Sequence, residues 1–257
     1  MRLHHQDYGK GGEQTIILLH GLLGSSRNWV TVGKLLAQDH HVVGLDLRNH
    51  GKSPHDSLMS YSAMVDDVGE WMEDHQLPKA HIVGHSMGGK VAMLFACTNP
   101  DRVSSLIIAD VAPIDYSLHF RTAFDAMGNI DPSRYNRIAE VDQALAEYLD
   151  DSVLRQFLIT NLTRNEAGTF DWQVNLEALT QALPELSRNP IRQTMHYNGP
   201  CLLLHGEHSS FVQPEDHKMI THHFPECRIV EVPGAGHNVH IDNRHFVSEQ
   251  ISRFLPF

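Results

Sequence analysis

The stretch HIVGHSMGGKVAM, residues 81–93, sets a serine between two glycines where an apolar run gives way to a helix-like pattern. The run AHIVGH (80–85) reads as a buried strand and MGGKVAMLFAC (87–97) as a helix, so Gly84, Ser86 and Gly88 fall on the turn between them. In a G-x-S-x-G turn of this kind the serine sits on a sharp, strained bend that lifts its Oγ above the sheet. Glycines two residues to either side let strand and helix approach closely. The next N–H, that of Met87, opens the helix without an intrahelical partner and can face a developing oxyanion. A glycine-rich turn with an incidental serine would also satisfy the pentapeptide; the strand–turn–helix context argues for the elbow.

Outward from this turn, short apolar runs alternate with helical patterns. TIILLH (15–20), HVVGLD (41–46), AHIVGH (80–85) and VSSLIIAD (103–110) are strand-like. Between the second and third, Met64, Val65, Val68, Trp71 and Met72 recur at the spacing of one apolar helix face. This alternation predicts a mostly parallel sheet flanked by helices. From about Tyr116 to Tyr197 strand-like runs vanish, and VDQALAEYL, SVLRQFLITNL and NLEALTQAL read as helices separated by TRNEAGTFDW and PELSRNP. The α/β rhythm resumes with CLLLHG, DHKMITHHF, CRIVEVP and RHFVSEQISRFL. The expected organisation is a core of residues 1–115 and 198–257 interrupted by a helical cap, 116–197, over the C-terminal edge of the sheet. Phe157, Leu158, Leu162, Phe170 and Trp172 of the insertion could line a pocket there or form the insertion's own core.

Composition narrows the function. The 257 residues carry 41% hydrophobic and 20% charged residues, near globular averages. No apolar run approaches the 18 residues of a membrane span and no basic amphipathic helix suggests membrane docking. The first residues hold no apolar segment before a small-residue cleavage site, so a soluble, cytoplasmic protein is expected. A formal charge of −11 gives no attraction for a phosphate backbone, which argues against nucleic acid as a partner. Cys97, Cys201 and Cys227 lack CxxC spacing and read as reduced thiols. Twenty histidines raise the question of a metal, but there is no HExxH, and the pairs His4–His5, His40–His41 and His222–His223 are sequence neighbours, expected to point apart. No metal and no cofactor are expected.

Two further segments fit the elbow. LLHGLLGSS (18–26) follows the first strand, and chain order sets it beside the elbow, where the Leu22 N–H can complete an oxyanion site. VPGAGHNVH (232–240) follows the last strand and puts His237 on a glycine-flanked loop, the position for a general base to Ser86. His240 lacks that glycine setting and is expected to pack. Asp46 and Arg48 in GLDLRNHGKS are expected to brace loops under the site, and Lys90 either caps a loop or binds a substrate anion.

With elbow, His-Gly loop and late histidine in this order, the chain resembles the α/β-hydrolase family over essentially its whole length. DLRNHGKS (46–53), GHSMGGK (84–90), IADVAPIDY (108–116) and GAGHNVH (234–240) resemble the YbfF-type serine esterase branch. Many relatives carry an Asp three residues after the Gly that ends a late strand; here Gly206 is followed by Ser209, which cannot hold an imidazolium by charge. Two acids stand near sheet ends, Asp110 after SLIIA and Glu207 after Gly206. The IADVAP setting of Asp110 resembles the esterase branch, and Ser86, Asp110, His237 keeps the family order; Glu207 is the alternative. The resemblance implies cofactor-free hydrolysis of small-molecule acyl esters, with acyl-CoA thioesters as a further candidate class. The same residues also suit carbon–carbon bond hydrolysis or a lyase reaction, or a hydrolase-fold ligand-binding protein without turnover. Oligomeric state is not encoded in any of these motifs.

Overall fold

The computed structural model describes residues 1–117 and 120–255. Seven strands form one sheet: β1 (His5–Lys10), β2 (Thr15–Leu19), β3 (His41–Leu45), β4 (Ala80–His85), β5 (Val103–Ala109), β8 (Cys201–Gly206) and β9 (Cys227–Val232). Their order across the sheet is β1-β3-β2-β4-β5-β8-β9, with β1 antiparallel to β3 and every other pairing parallel. Strands β2 and β4 are buried along their whole length, as both-face coverage of a parallel sheet requires.

Strand periodicity divides the core. Ile17, Leu19, Val43, Leu45, Ile82, Leu106, Ile108 and Leu203 face one layer. Ile16, Leu18, Val42, Val83, Ile107, Leu202 and Leu204 face the other. The first layer is covered by α2 (Tyr61–Asp74), which buries the predicted Met64, Val65, Val68, Trp71 and Met72, and by α3 (Met87–Thr98). Ser60 caps α2 by accepting the Ala63 N–H at 3.2 Å. The second layer packs on α1 (Val30–Leu36) and α10 (Arg244–Phe254) through Val32, Leu36, Val247 and Ile251. Two short helices, α8 (His217–His223) and α9 (Val239–Asp242), flank β9 in sequence.

Between β5 and β8 lie α4 (Arg121–Gly128), α5 (Ile138–Leu145), α6 (Ser152–Ile159) and α7 (Leu176–Ser187). The structure corrects the expectation that strands vanish here: β6 (Leu162–Arg164) and β7 (Phe170–Trp172) form an antiparallel hairpin inside TRNEAGTFDW. Its turn is closed by Asn165 N–H to Thr169 O and Gly168 N–H to Asn165 O, both 3.0 Å, with Gly168 at φ 80°. Strand β1 is a second element that the apolar pattern did not disclose.

Candidate active site

The elbow takes the expected form. Ser86 has φ 52° and ψ −117°, a region that costs a non-glycine residue about 1–3 kcal/mol and persists only where the surroundings impose it. They do so through close backbone contact. A Cβ on Gly84 would lie 2.1 Å from Gly88 O, and one on Gly88 would lie 2.5 Å from His20 O. Only glycine lets β4, α3 and the end of β2 meet there, and the Ser86 N–H is held by Ala109 O at 3.0 Å.

The 20–26 loop is fixed by two buried histidines. Since carbonyls only accept, His20 Nδ1–H donates to Gly21 O at 2.8 Å and His50 Nδ1–H to Arg48 O at 2.9 Å. Their Nε2 atoms are then free to accept the N–H of Leu47 at 3.0 Å and of Leu23 at 3.2 Å. Burial lowers the pKa of both rings, that of His50 to about 3, and keeps them neutral. Asn161 adds a bond to Leu23 O at 2.9 Å. The Leu22 and Met87 N–H groups take no hydrogen bond among the described residues, and both residues line a cavity with Ser86.

His237 meets Asp110, not Glu207. Its Nδ1 lies 2.8 Å from Asp110 Oδ2. Glu207 instead accepts the Gly234 N–H at 2.8 Å and so braces the histidine loop. Asp110 is fully buried, with φ 53°, and its carboxylate takes two further donors, Gly206 N–H at 2.9 Å and Ser209 Oγ–H at 2.5 Å. The Ser209 Oγ in turn accepts the Phe211 N–H at 3.1 Å, and the Phe211 ring stacks on His237 with centroids 3.7 Å apart. From below, His85 Nε2–H donates to His237 O at 2.9 Å. Burial above all, then the neighbouring His240 and His237, pushes the His85 pKa well below its usual value; burial likewise takes His240 to about 3. Neither ring adds a positive charge beside His237.

With Nδ1–H committed to Asp110, the His237 Nε2 carries a lone pair; it is buried and unpaired among the described residues. His237 and Ser86 line one cavity together, with Phe157, Leu154 and Val153 of α6. Ser86, Leu22 and Phe120 also line the second cavity, whose other walls include Met87, Leu183, Leu186 and Phe211. The serine therefore stands where two cavities meet. Of the five insertion residues singled out, Phe157 reaches the cavity, while Leu158 and Phe170 are buried in the core and Leu162 and Trp172 pack against it.

The remaining charged residues brace the site. Arg48 makes a two-toothed contact with Asp67 of α2, at 2.6 and 2.8 Å, both residues being buried. Asp46 accepts the Ser26 and Lys52 N–H groups at 2.7 and 2.9 Å. Lys90 lines the second cavity, but its Nζ donates to Ser187 O at 3.2 Å and Arg188 O at 2.6 Å, at the C-terminus of α7. Burial lowers its pKa to about 8. The supporting contacts of Ser209, Phe211 and His85 carry no local sequence signal, since each is made with a residue distant in the chain.

An imidazole held by a buried carboxylate, a hydroxyl on a strained turn and two N–H groups unpaired among the described residues form an arrangement suited to acyl transfer. The alpha/beta hydrolase fold family matches residues 14–244. The chain is 37% identical to the sn-1-specific diacylglycerol lipase ABHD11 of Mus musculus, covering 93% of this chain and 80% of the relative. It is 30% identical to esterase YbfF of Escherichia coli strain K12, over 93% and 92% of the two chains. A solved marine microorganism esterase superposes with a TM-score of 0.95 at 33% identity, covering 99% of each chain. The protein belongs to the α/β-hydrolase family. By likeness to these relatives it is a carboxylic ester hydrolase of the esterase/lipase type.

Proposed function

We propose that the protein hydrolyses short- to medium-chain acyl esters through Ser86, His237 and Asp110, by way of an acyl-enzyme. The observation that carries this reading is the 2.8 Å Asp110–His237 bond, which leaves Nε2 as a buried lone pair on the wall of the cavity that Ser86 also lines. His237 Nε2 takes the Ser86 proton as Oγ attacks the ester carbonyl, and the N–H groups of Leu22 and Met87 hold the tetrahedral oxyanion. The protonated imidazole gives its proton to the leaving alkoxide. Water, deprotonated by the same nitrogen, then attacks the acyl carbon and releases the acid.

The apolar cavity walled by Met87, Leu183 and Leu186 supports an acyl group as its occupant, and the cavity shared with His237 the alcohol portion. The name of the mouse relative makes diacylglycerols a first natural class to assay, and acyl-CoA thioesters a second; both share the acyl carbonyl on which this chemistry works. The test is p-nitrophenol release from p-nitrophenyl butyrate by the wild type and by folded Ser86→Ala. The variant is expected to lose about 10⁶-fold in kcat. Equal rates in the two would refute the assignment of Ser86. Turnover of β-diketones without ester turnover would favour carbon–carbon hydrolysis, and tight ligand binding without product a receptor.

A further inference from the structure

We propose that His196, His222 and His223 form a site for a single divalent transition-metal ion of the zinc type, remote from Ser86, which clamps the segment entering β8 to α8. One ring nitrogen from each of the three lies within 4.8 Å of the other two. The rings pack mutually, with centroids 5.0 Å apart for His196–His222, 6.0 Å for His196–His223 and 4.9 Å for His222–His223. The sequence neighbours 222 and 223, expected to point apart, are brought to one side because α8 ends there and His196 comes up against that end.

The hydrogen bonds decide which nitrogens are available. His196 Nδ1 lies 2.8 Å from His222 O, His222 Nε2 lies 3.1 Å from Gln193 O, and His223 Nδ1 lies 2.7 Å from Met195 O. A carbonyl oxygen only accepts, so each of these nitrogens carries its ring's proton. The second nitrogen of each neutral ring, Nε2 of His196, Nδ1 of His222 and Nε2 of His223, is left with a lone pair. A carbonyl behind one ring nitrogen is the usual outer support of a metal-bound imidazole, because it fixes the tautomer and the ring plane. Here all three rings have it.

Imidazole donors suit zinc, copper and nickel rather than magnesium or calcium. Three nitrogens plus water would complete a tetrahedral ion. With Zn–N of about 2.0–2.1 Å the three lone-pair nitrogens must come to roughly 3.3 Å of one another, so the rings turn onto the ion. His196 and His222 are exposed and can rotate to do so, while His223 is buried and serves as the fixed ligand. Lys218 lines the adjoining cavity with Gln193 and His222.

Position assigns the ion a structural role. His196 precedes β8 and His223 precedes β9, so the cluster lies at the N-terminal edge of the sheet, whereas Ser86 and Asp110 follow the C-terminal ends of β4 and β5. One strand length separates the two edges, about 20 Å for six residues. The segment is already tied to α8 by the three ring bonds and by Tyr197 N–H to His223 O at 2.9 Å, and an ion would lock the same joint.

The test is calorimetric titration of the chelator-stripped full chain with zinc chloride, alongside thermal melting. One ion per chain is expected, with a rise in Tm that the chelator reverses. The His196→Gln/His222→Gln variant should bind at least tenfold more weakly, lose the Tm rise and keep wild-type turnover of p-nitrophenyl butyrate. No uptake by the wild type at millimolar zinc, or undiminished uptake by the double variant, overturns the proposal. So does binding that survives in the double variant and disappears in His237→Gln. Should the double variant not fold, ¹⁵N imidazole spectra of the wild type decide the matter: zinc should shift the three named nitrogens and no others.

Discussion

Ser209 donates its hydroxyl to the same Asp110 oxygen that faces His237 Nδ1, at 2.5 and 2.8 Å. Ser209, three residues after the Gly206 that ends β8, is thus a hydrogen-bond donor to an acid that follows another strand, β5. Asp110→Asn should lower kcat by about 10⁴, since an amide cannot stabilise the imidazolium and favours the wrong tautomer. Ser209→Ala removes one charge-assisted bond and should cost about tenfold in kcat. An unchanged kcat would assign Ser209 to packing alone.

The shared oxygen also predicts a rescue. An aspartate at 209 is one atom longer than serine, whose hydroxyl already reaches the Asp110 oxygen that faces His237 Nδ1. Asp110→Asn/Ser209→Asp should therefore recover at least tenfold of the kcat lost in Asp110→Asn. Ser209→Asp alone should destabilise the fold, because two carboxylates would share one buried site. Failure of the double variant to exceed Asp110→Asn would mean that the backbone at 209 holds its side chain out of line with Nδ1.

At the elbow, a Cβ on Gly88 would meet Leu19 O at 2.6 Å as well as His20 O at 2.5 Å, both backbone atoms that cannot swing away. Gly88→Ala should cost about 3 kcal/mol in urea unfolding, the upper part of the range for overpacking, and displace Met87 N–H. Gly128→Ala is the control: nothing lies within 4 Å of its Cβ, so that variant should be neutral or more stable by up to about 1 kcal/mol.

What the chain discloses and what it hides follow from burial. Strands β2, β4, β5 and β8 are legible because coverage on both faces demands continuous apolar runs. Strand β1, HQDYGK, is a half-exposed edge and carries no such run. The strands β6 and β7 have three residues each, too few for alternation to register. Ser86 and His237 announce themselves through the glycines that their turns require. Asp110 could be narrowed only to one of two acids, because the choice rests on which carboxylate the His237 ring faces. Ser209 meets Asp110 across 99 positions of sequence, and no local pattern marks such a contact.

Arg48 and Asp67 form a buried ion pair between the loop after β3 and α2. Asp67→Asn strands the buried guanidinium and should cost about 3–5 kcal/mol, whereas Arg48→Met leaves Asp67 its contact with the Met1 ammonium at 2.8 Å and should cost less. The double variant Arg48→Met/Asp67→Leu should cost less than the sum of the two single changes, as coupled neighbours do. Turnover per folded molecule should hold in all three; a selective loss of activity in Arg48→Met would assign the guanidinium to substrate.

His20, His50, His85 and His240 are buried rings whose pKa values lie below the usual 6.5, with burial the leading cause, those of His50 and His240 at about 3. The unfolded chain takes up protons on them as pH falls below about 6.5, while the folded chain does not. Stability is therefore full above that pH and declines toward the folded values, by up to about 1.4 kcal/mol per pH unit for each ring. Urea midpoints should fall steadily from pH 6.5 to 4, ahead of carboxylate titration. His240→Phe keeps the stack on Trp29, where the rings lie 4.2 Å apart, and removes a buried Nδ1 without a hydrogen-bond partner among the described residues. At pH 7.5 this variant should equal or exceed the wild type, and its slope below pH 6.5 should be shallower by about one proton. An unchanged slope would show that His240 takes up its proton in the folded protein, through an opening of the cavity it shares with Ser86.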